Sequence, residues 1–297
     1  MSRANDPSRP DLYSRITNQI VADLEAGVRP WTKPWSSGRL QGSIGRPLRY
    51  NRDPYSGVNV VLLWSEAVAS GYTAPMWMTF RQALELGGHV RKGEHGATVV
   101  YANRFTRTET DANGAEVEHQ VPFLKAYTVF NVEQIDDLPA DYRTDPEPAL
   151  DPSLRIANAD CFVDSLGADI RHGGAKAYYD LIGDRIQLPP FESFVDPQAY
   201  YATALHELAH WTMHPSRLDR VFNRKGADRE AYACEELVAE LGAAFLCADL
   251  RLELTPREDH AAYIDHWLKV LKGDKRFIFS AAAHAQRAAD YLHQRQP

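Results

Sequence analysis

The stretch "DPQAYYATALHELAHWTMHP", Asp196 to Pro215, holds two histidines four residues apart, with a glutamate directly after the first. Asp196 is a good N-cap and Pro197 suits a first helical turn, so the pattern predicts a helix over Pro197–His214. Residues four apart share a helix face, one turn up. His206 and His210 therefore point the same way and can share one tetrahedral metal ion, while Glu207 is rotated by about 100° and stands beside it. This is the H-E-x-x-H arrangement, in which two imidazoles ligate the metal and a glutamate acts as general base. The bland alternative is the polar seam of an ordinary helix. Chance gives this pattern in a chain of this length on the order of once in a hundred. His214 continues the four-residue series but stands about 12 Å along the axis from His206, too far for one ion.

A catalytic zinc site takes a third protein ligand from elsewhere. The stretch "ACEELVAELGAAFLCA", Ala233 to Ala248, is apolar nearly all round apart from Glu235, Glu236 and Glu240, which predicts a central helix. A carboxylate buried there needs a partner. Glu236 and Glu240 lie on a face otherwise made of Ala233, Ala243, Ala244 and Cys247, where small side chains let another helix approach. Glu236 is expected as the third ligand and Glu240 as the acceptor behind a ligand histidine. The exchanged roles, or a plain salt bridge between helices, are the alternatives. The cofactor expected is one divalent metal ion, zinc first, with manganese or another transition metal as the alternative.

The segments around this pair set the domain plan. Alternating runs at "ADIRHGG", "KAYYDLIGD" and "RIQLPP" predict a small sheet after a short helix near Leu154, and helices fill the rest. The stretch "DDLPADYRTDPEPALDP", Asp136 to Pro152, carries four prolines and six acidic residues and reads as an extended linker. The expected organisation is a basic N-terminal domain over 1–135, a linker over 136–153 and a metal-bearing domain over 154–297. Before the linker, helices are expected in "DLYSRITNQIVADLEAG", "NVVLLWSEAVASG" and "TFRQALELGG". Strands are expected in "ATVVYANRFTRTET" and "VPFLKAYTVFNV", bridged by "DANGA". Both domains are α+β.

Charge separates the two halves. The net charge is −7, yet Met1–Thr108 holds fourteen Lys and Arg against eight Asp and Glu, so this part carries +6 and the remainder −13. A basic half suits a polyanion. Its cations are interleaved with aromatics, a combination that suits single-stranded nucleic acid, whose bases stack on rings while phosphates pair with guanidinium groups. The candidates are Trp31, Lys33, Trp35, Arg46, Arg49, Tyr50, Arg52 and Tyr55 in a Pro/Gly-rich segment, with Arg91 and Lys92 on a tight glycine turn. Trp64 and Trp77 are assigned to the core, and for each aromatic alone a core role is the ordinary alternative. Three cysteines, Cys161, Cys234 and Cys247, without a CxxC spacing, read as buried free thiols in a reducing, cytoplasmic compartment. No apolar run approaches the roughly 18 residues a membrane span needs, and the polar start "MSRANDPSRPD" has no secretory core.

"WTKPW", "YNRDPYSGVNVVLLW", "VRKGEHGATVVY" and "FNVEQID" resemble the N-terminal domain of ArdC-type antirestriction proteins, and also the front part of some plasmid transfer primases. "HELAHWTMHPSRLDR" and "YACEELVAELGAAFL" resemble the zincin-type metallopeptidase domain that follows in the same family. The resemblance implies a protein of conjugative plasmids or mobile elements. It implies an N-terminal domain that binds single-stranded DNA, a C-terminal gluzincin-like peptidase domain and protection of incoming DNA from host restriction. It carries His206, Glu207, His210 and Glu236 over onto the family's motif positions. Three functions follow as expectations. One is a zinc-dependent peptidase held near single-stranded DNA and cutting a host protein. The second is a non-catalytic DNA shield whose metal site is structural or idle. The third is a module that docks a host restriction component.

Overall fold

The structure, a computed structural model, describes residues 11–31, 45–110, 116–142, 152–222, 228–252 and 261–297. Lys33 and Trp35 lie outside the described residues, as do the predicted turn "DANGA" and most of the predicted linker.

The N-terminal domain starts with α1, Leu12–Glu25. Asp11 caps it by accepting the Ser14 amide, and Ile16, Ile20 and Leu24 bury one stripe. A four-stranded sheet follows, formed by β1 (Leu48–Arg49), β2 (Met76–Thr79), β4 (Ala97–Thr110) and β5 (Glu116–Asn131) in the order β1-β2-β5-β4. Helix α2, Val58–Ser70, packs on it, and the Asn59 side chain bonds both the amide and the carbonyl of Val100 on β4. Helix α3, Phe80–Glu85, opens with a capping box between Thr79 and Gln82. The short strands β3 (His89–Val90) and β6 (Ile135–Asp136) pair antiparallel over a small second cluster that contains Met76, Met78, Ala83 and Leu138. Asp136 to Tyr142, read from sequence as the start of a solvated linker, is thus held by the N-terminal domain, because Ile135 and Leu138 are plugs for that cluster.

The C-terminal domain begins with α4, Pro152–Ser165, and a three-stranded sheet of β7 (Asp169–His172), β9 (Arg185–Leu188) and β8 (Tyr178–Asp180), in that spatial order. Four helices complete it: α5 (Pro197–Trp211), α6 (Asp228–Asp249), α7 (Ala261–Gly273) and α8 (Phe277–His293). Asp196 accepts the Ala199 amide at 2.8 Å and caps α5. α6 is the central element, with Leu237, Val238, Leu241, Phe245 and Leu246 fully enclosed. Gly242 makes its contact with α5 possible, since a Cβ there would lie 3.1 Å from the Cβ of Ala209.

The two domains share one core. A single hydrophobic cluster runs from α1 and α2 into α6, α7 and α8. At the seam Trp64 meets Phe245 at 5.9 Å between ring centroids, and Trp31 meets Trp267 edge-on at 6.1 Å. Arg46 lies 4.4 Å over the Phe245 ring and pairs with Asp249 at 3.0 Å. Cys234 and Cys247 are buried free thiols, but Cys161, expected to be buried, is exposed on the outer face of α4. No described helix is long and apolar enough to cross a membrane.

Candidate metal centre

The α5 face carrying His206 and His210 meets the α6 face carrying Glu235, Glu236 and Glu240. All of these side chains, together with Glu207, are buried. His206 Nε2 and His210 Nε2 stand 3.2 Å apart. Glu236 reaches both, with Oε2 3.6 Å from His206 Nε2 and Oε1 3.5 Å from His210 Nε2. The three residues form a compact donor cluster among the described residues. Two imidazole nitrogens and a carboxylate are the donor set of a catalytic zinc site. Bonds of 2.0–2.1 Å in a tetrahedral site imply donor separations of about 3.3–3.4 Å, close to the triangle found here.

Behind the triangle stands a charged scaffold. Glu235 lies 3.1 Å from His210 Nδ1 through Oε1, and it accepts two bonds from Arg220, Nε to Oε2 at 2.8 Å and Nη2 to Oε1 at 2.6 Å. Arg220 is itself enclosed and also donates to Thr212 Oγ1 and to the Ala209 carbonyl. On the other side Glu240 Oε2 lies 3.8 Å from His206 Nδ1, while its Oε1 accepts the Trp31 indole N–H at 3.3 Å. Burial pulls the His210 imidazolium down, but the hydrogen bonds to Glu235 and Glu236 outweigh it and raise its pKa to about 10. Burial likewise opposes ionisation of both carboxylates, yet Glu236 is held well below the usual carboxylate range by its contacts with His206 and His210. Glu235 is held down by Arg220 and His210.

Sequence reasoning brought His206, His210 and Glu236 together, and the structure puts their donor atoms within reach of one another. It gave the supporting role to Glu240 and passed over Glu235 and Arg220. Glu235 was visible as a third charge on an apolar helix. Arg220, in the loop after α5, carried no signal. His214 lies in the turn after α5, where its Nδ1 contacts Ser216 Oγ at 2.7 Å.

The candidates in the basic half divide. Trp31 is fully enclosed, Arg46 is spent on Asp249 and Gln286, and Tyr55 is buried. None of these three offers a free face or charge to a nucleic acid, which corrects their assignment: Trp31 packs on Trp267, Arg46 is taken by Asp249, Gln286 and the Phe245 ring, and Tyr55 lies in the shared core. Arg49, Tyr50, Arg52 and Lys92 are on the surface. Arg91 is partly exposed but already pairs with Glu94 at 2.7 Å and faces Asp136.

An H-E-x-x-H helix crossed by a glutamate-bearing helix, beside a small sheet, defines a zincin-like metallopeptidase domain. Residues 157–284 match the model of the zincin-like metallopeptidase family, and residues 10–130 match that of the N-terminal domain of the anti-restriction factor ArdC. The chain belongs to the ArdC antirestriction family. The metal-free crystal structure of the antirestriction protein ArdC from plasmid R388 is 46% identical with a TM-score of 0.81, covering 97% of this chain and 98% of that one. Its Mn(II)-bound form is 45% identical with a TM-score of 0.77, at the same coverage. An uncharacterised protein of Sinorhizobium fredii, y4eC, is 42% identical over all of this chain and 96% of its own length. The DNA primase TraC of Escherichia coli is 37% identical over 95% of this chain, which spans only 27% of that primase.

Proposed function

We propose that this chain is a metal-dependent antirestriction protein of a conjugative plasmid or mobile element. In this reading it works in the cytoplasm, binds single-stranded DNA through its N-terminal domain and hydrolyses a host protein, a restriction component, at the α5–α6 centre. His206, His210 and Glu236 hold one divalent ion, zinc in the first instance. Manganese is an accepted alternative, since the R388 relative has been crystallised with Mn(II). The observation that carries the proposal is the triangle of donor atoms, with edges of 3.2, 3.5 and 3.6 Å.

A bound divalent metal supplies Lewis acidity toward a carbonyl oxygen and toward water. The chain's own residues do the rest. Glu207, one position past His206 and buried in the same helix, takes the proton of the attacking water and passes it to the leaving amine. Glu235 accepts from His210 Nδ1, which fixes the ring and leaves Nε2 as the donor; Arg220 fixes Glu235 in turn. Glu240 faces the corresponding nitrogen of His206.

Glu207→Gln tests the chemistry, because it removes the base and leaves every proposed ligand in place. The variant keeps its metal and DNA affinity and loses protection of incoming DNA in a transfer assay with a restricting recipient. Full protection by this variant would leave the protein as a non-catalytic shield.

A further inference from the structure

The site assigned to DNA from the sequence loses three of its members to the core, yet the fold exposes another aromatic and cationic surface. β5 pairs with β2 only over Val129–Asn131. From Thr128 outward, among the described strands, it pairs with β4 alone, so the two strands leave the sheet as a long ribbon. The antiparallel register sets Tyr127 opposite Val99, Lys125 opposite Tyr101 and Phe123 opposite Asn103. Opposed residues, and alternate residues along a strand, share a face. Tyr101, Asn103, Phe123, Lys125 and Tyr127 therefore lie side by side on one face.

Tyr101, Asn103, Phe123 and Lys125 touch one another. The Tyr101 and Phe123 rings are 6.1 Å apart, Lys125 Nζ lies 5.3 Å from the Phe123 centroid, and Asn103 Nδ2 donates to the Tyr101 hydroxyl. Tyr101 remains 48% exposed and Tyr127 46% exposed. Two half-bare tyrosines on a two-stranded ribbon add little to its stability, since such ribbons lack a covering layer. The sequence of the two strands is basic near these rings: residues 97–108 and 119–132 contain no Asp or Glu, while Arg104, Arg107 and Lys125 fall within them, Arg107 and Lys125 at register positions of the Tyr101 face and Arg104 at one of the opposite face; Glu94 and Glu133 flank the two stretches at the base of the ribbon. Rings that accept bases, a cation beside them and an acid-free backbone are the complement of a single strand with unpaired bases. A duplex hides its base faces and would leave the rings unused.

We propose that this ribbon face, centred on Tyr101, Lys125 and Tyr127, is the platform on which single-stranded DNA lies. This rests on the single-stranded-DNA reading above and adds the surface. The test is fluorescence anisotropy with a labelled 20-residue oligo-dT on the full chain. It compares wild type, Tyr101→Ala/Tyr127→Ala, Tyr101→Phe/Tyr127→Phe and Lys125→Glu. The double alanine variant binds about 5- to 100-fold more weakly, the loss expected for one stacked base or more, with an unchanged salt slope. The double phenylalanine variant stays near wild type, because stacking needs the ring and not the hydroxyl. Lys125→Glu weakens binding and lowers the magnitude of the salt slope by about 0.7 or more. An alanine variant with wild-type affinity overturns the platform, as does a Lys125→Glu variant with an unaltered slope. A wild type that self-associates in solution through this face, with variants that lose the self-association but keep DNA affinity, also overturns it and assigns the face to a second copy. Wild type that fails to bind oligo-dT at all sinks the single-stranded-DNA reading itself, a different and recognisable result.

Discussion

Replacing Glu235 with glutamine should disturb stability and metal binding together. The Arg220 side chain is 1% exposed, and two of its bonds end on Glu235. Glutamine keeps one acceptor but brings an amide group that must face either the guanidinium or His210, both of them donors. Removing one partner of a buried ion pair costs about 3–5 kcal/mol, a fifth or more of the roughly 5–15 kcal/mol that holds a domain folded. At roughly 2–4 °C per kcal/mol for a chain of this size, the melting temperature falls by about 6–20 °C. The same change frees the His210 ring to rotate, and loss of a group supporting a ligand histidine weakens metal affinity by about 10- to 100-fold. Scanning calorimetry of the metal-free chain reads the first effect. Calorimetric titration with Zn2+ and Mn2+, below the melting temperature of the variant, reads the second. A melting temperature within about 2 °C of wild type would refute the buried-pair argument. A lowered melting temperature with unchanged metal affinity would refute the link from Arg220 through Glu235 to His210.

Three further outcomes follow from the same geometry. Trp31→Phe keeps the ring against Trp267 but removes the N–H that holds Glu240, so metal affinity drops by about threefold or more while DNA affinity stays, as titrations with metal and with oligo-dT would show. Metal binding releases protons. The His210 pKa is raised to about 10, so below that pH the metal must displace a proton and affinity falls as pH falls; titrations in buffers of different ionisation enthalpy measure the number released. His284, half-buried and close to Arg287 and Arg220, has its pKa lowered to about 4 by partial burial and those two cations. Its unfolded form protonates near pH 6.5 while the native form resists, so stability is full above that pH and declines from about 6.5 towards 4. His284→Gln flattens the upper part of this decline in denaturant titrations.

The metal helix was legible because its information is local. A four-residue spacing and an N-cap fix which side chains share a face before any tertiary contact exists. α6 was legible as a central helix because charge is scarce on it. Choosing among its glutamates was harder. Glu235 and Glu236 differ by about 100° around the axis, and which of them meets the metal and which stands behind His210 depends on how α6 is rotated against α5. That rotation is set by the close approach at Gly242 and Ala209. Arg220 enters from a loop and could be placed only by the fold. The basic half misled for a physical reason: Trp31 and Arg46 have the composition of a nucleic-acid surface, but composition does not distinguish an aromatic exposed to solvent from one pressed onto another domain. The ribbon face needed the register. Its strands were readable as strands, yet only the pairing of Tyr101 with Lys125 and of Asn103 with Phe123 gathers those side chains on one side.

Crystals of this chain grown with zinc, and an anomalous difference map collected at the zinc edge, test the central claim most directly. The account predicts one strong peak between α5 and α6, about 2.0–2.2 Å from His206 Nε2, His210 Nε2 and a Glu236 oxygen. A peak ligated by Glu240 in place of Glu236, or no peak between these helices at saturating zinc, would contradict it.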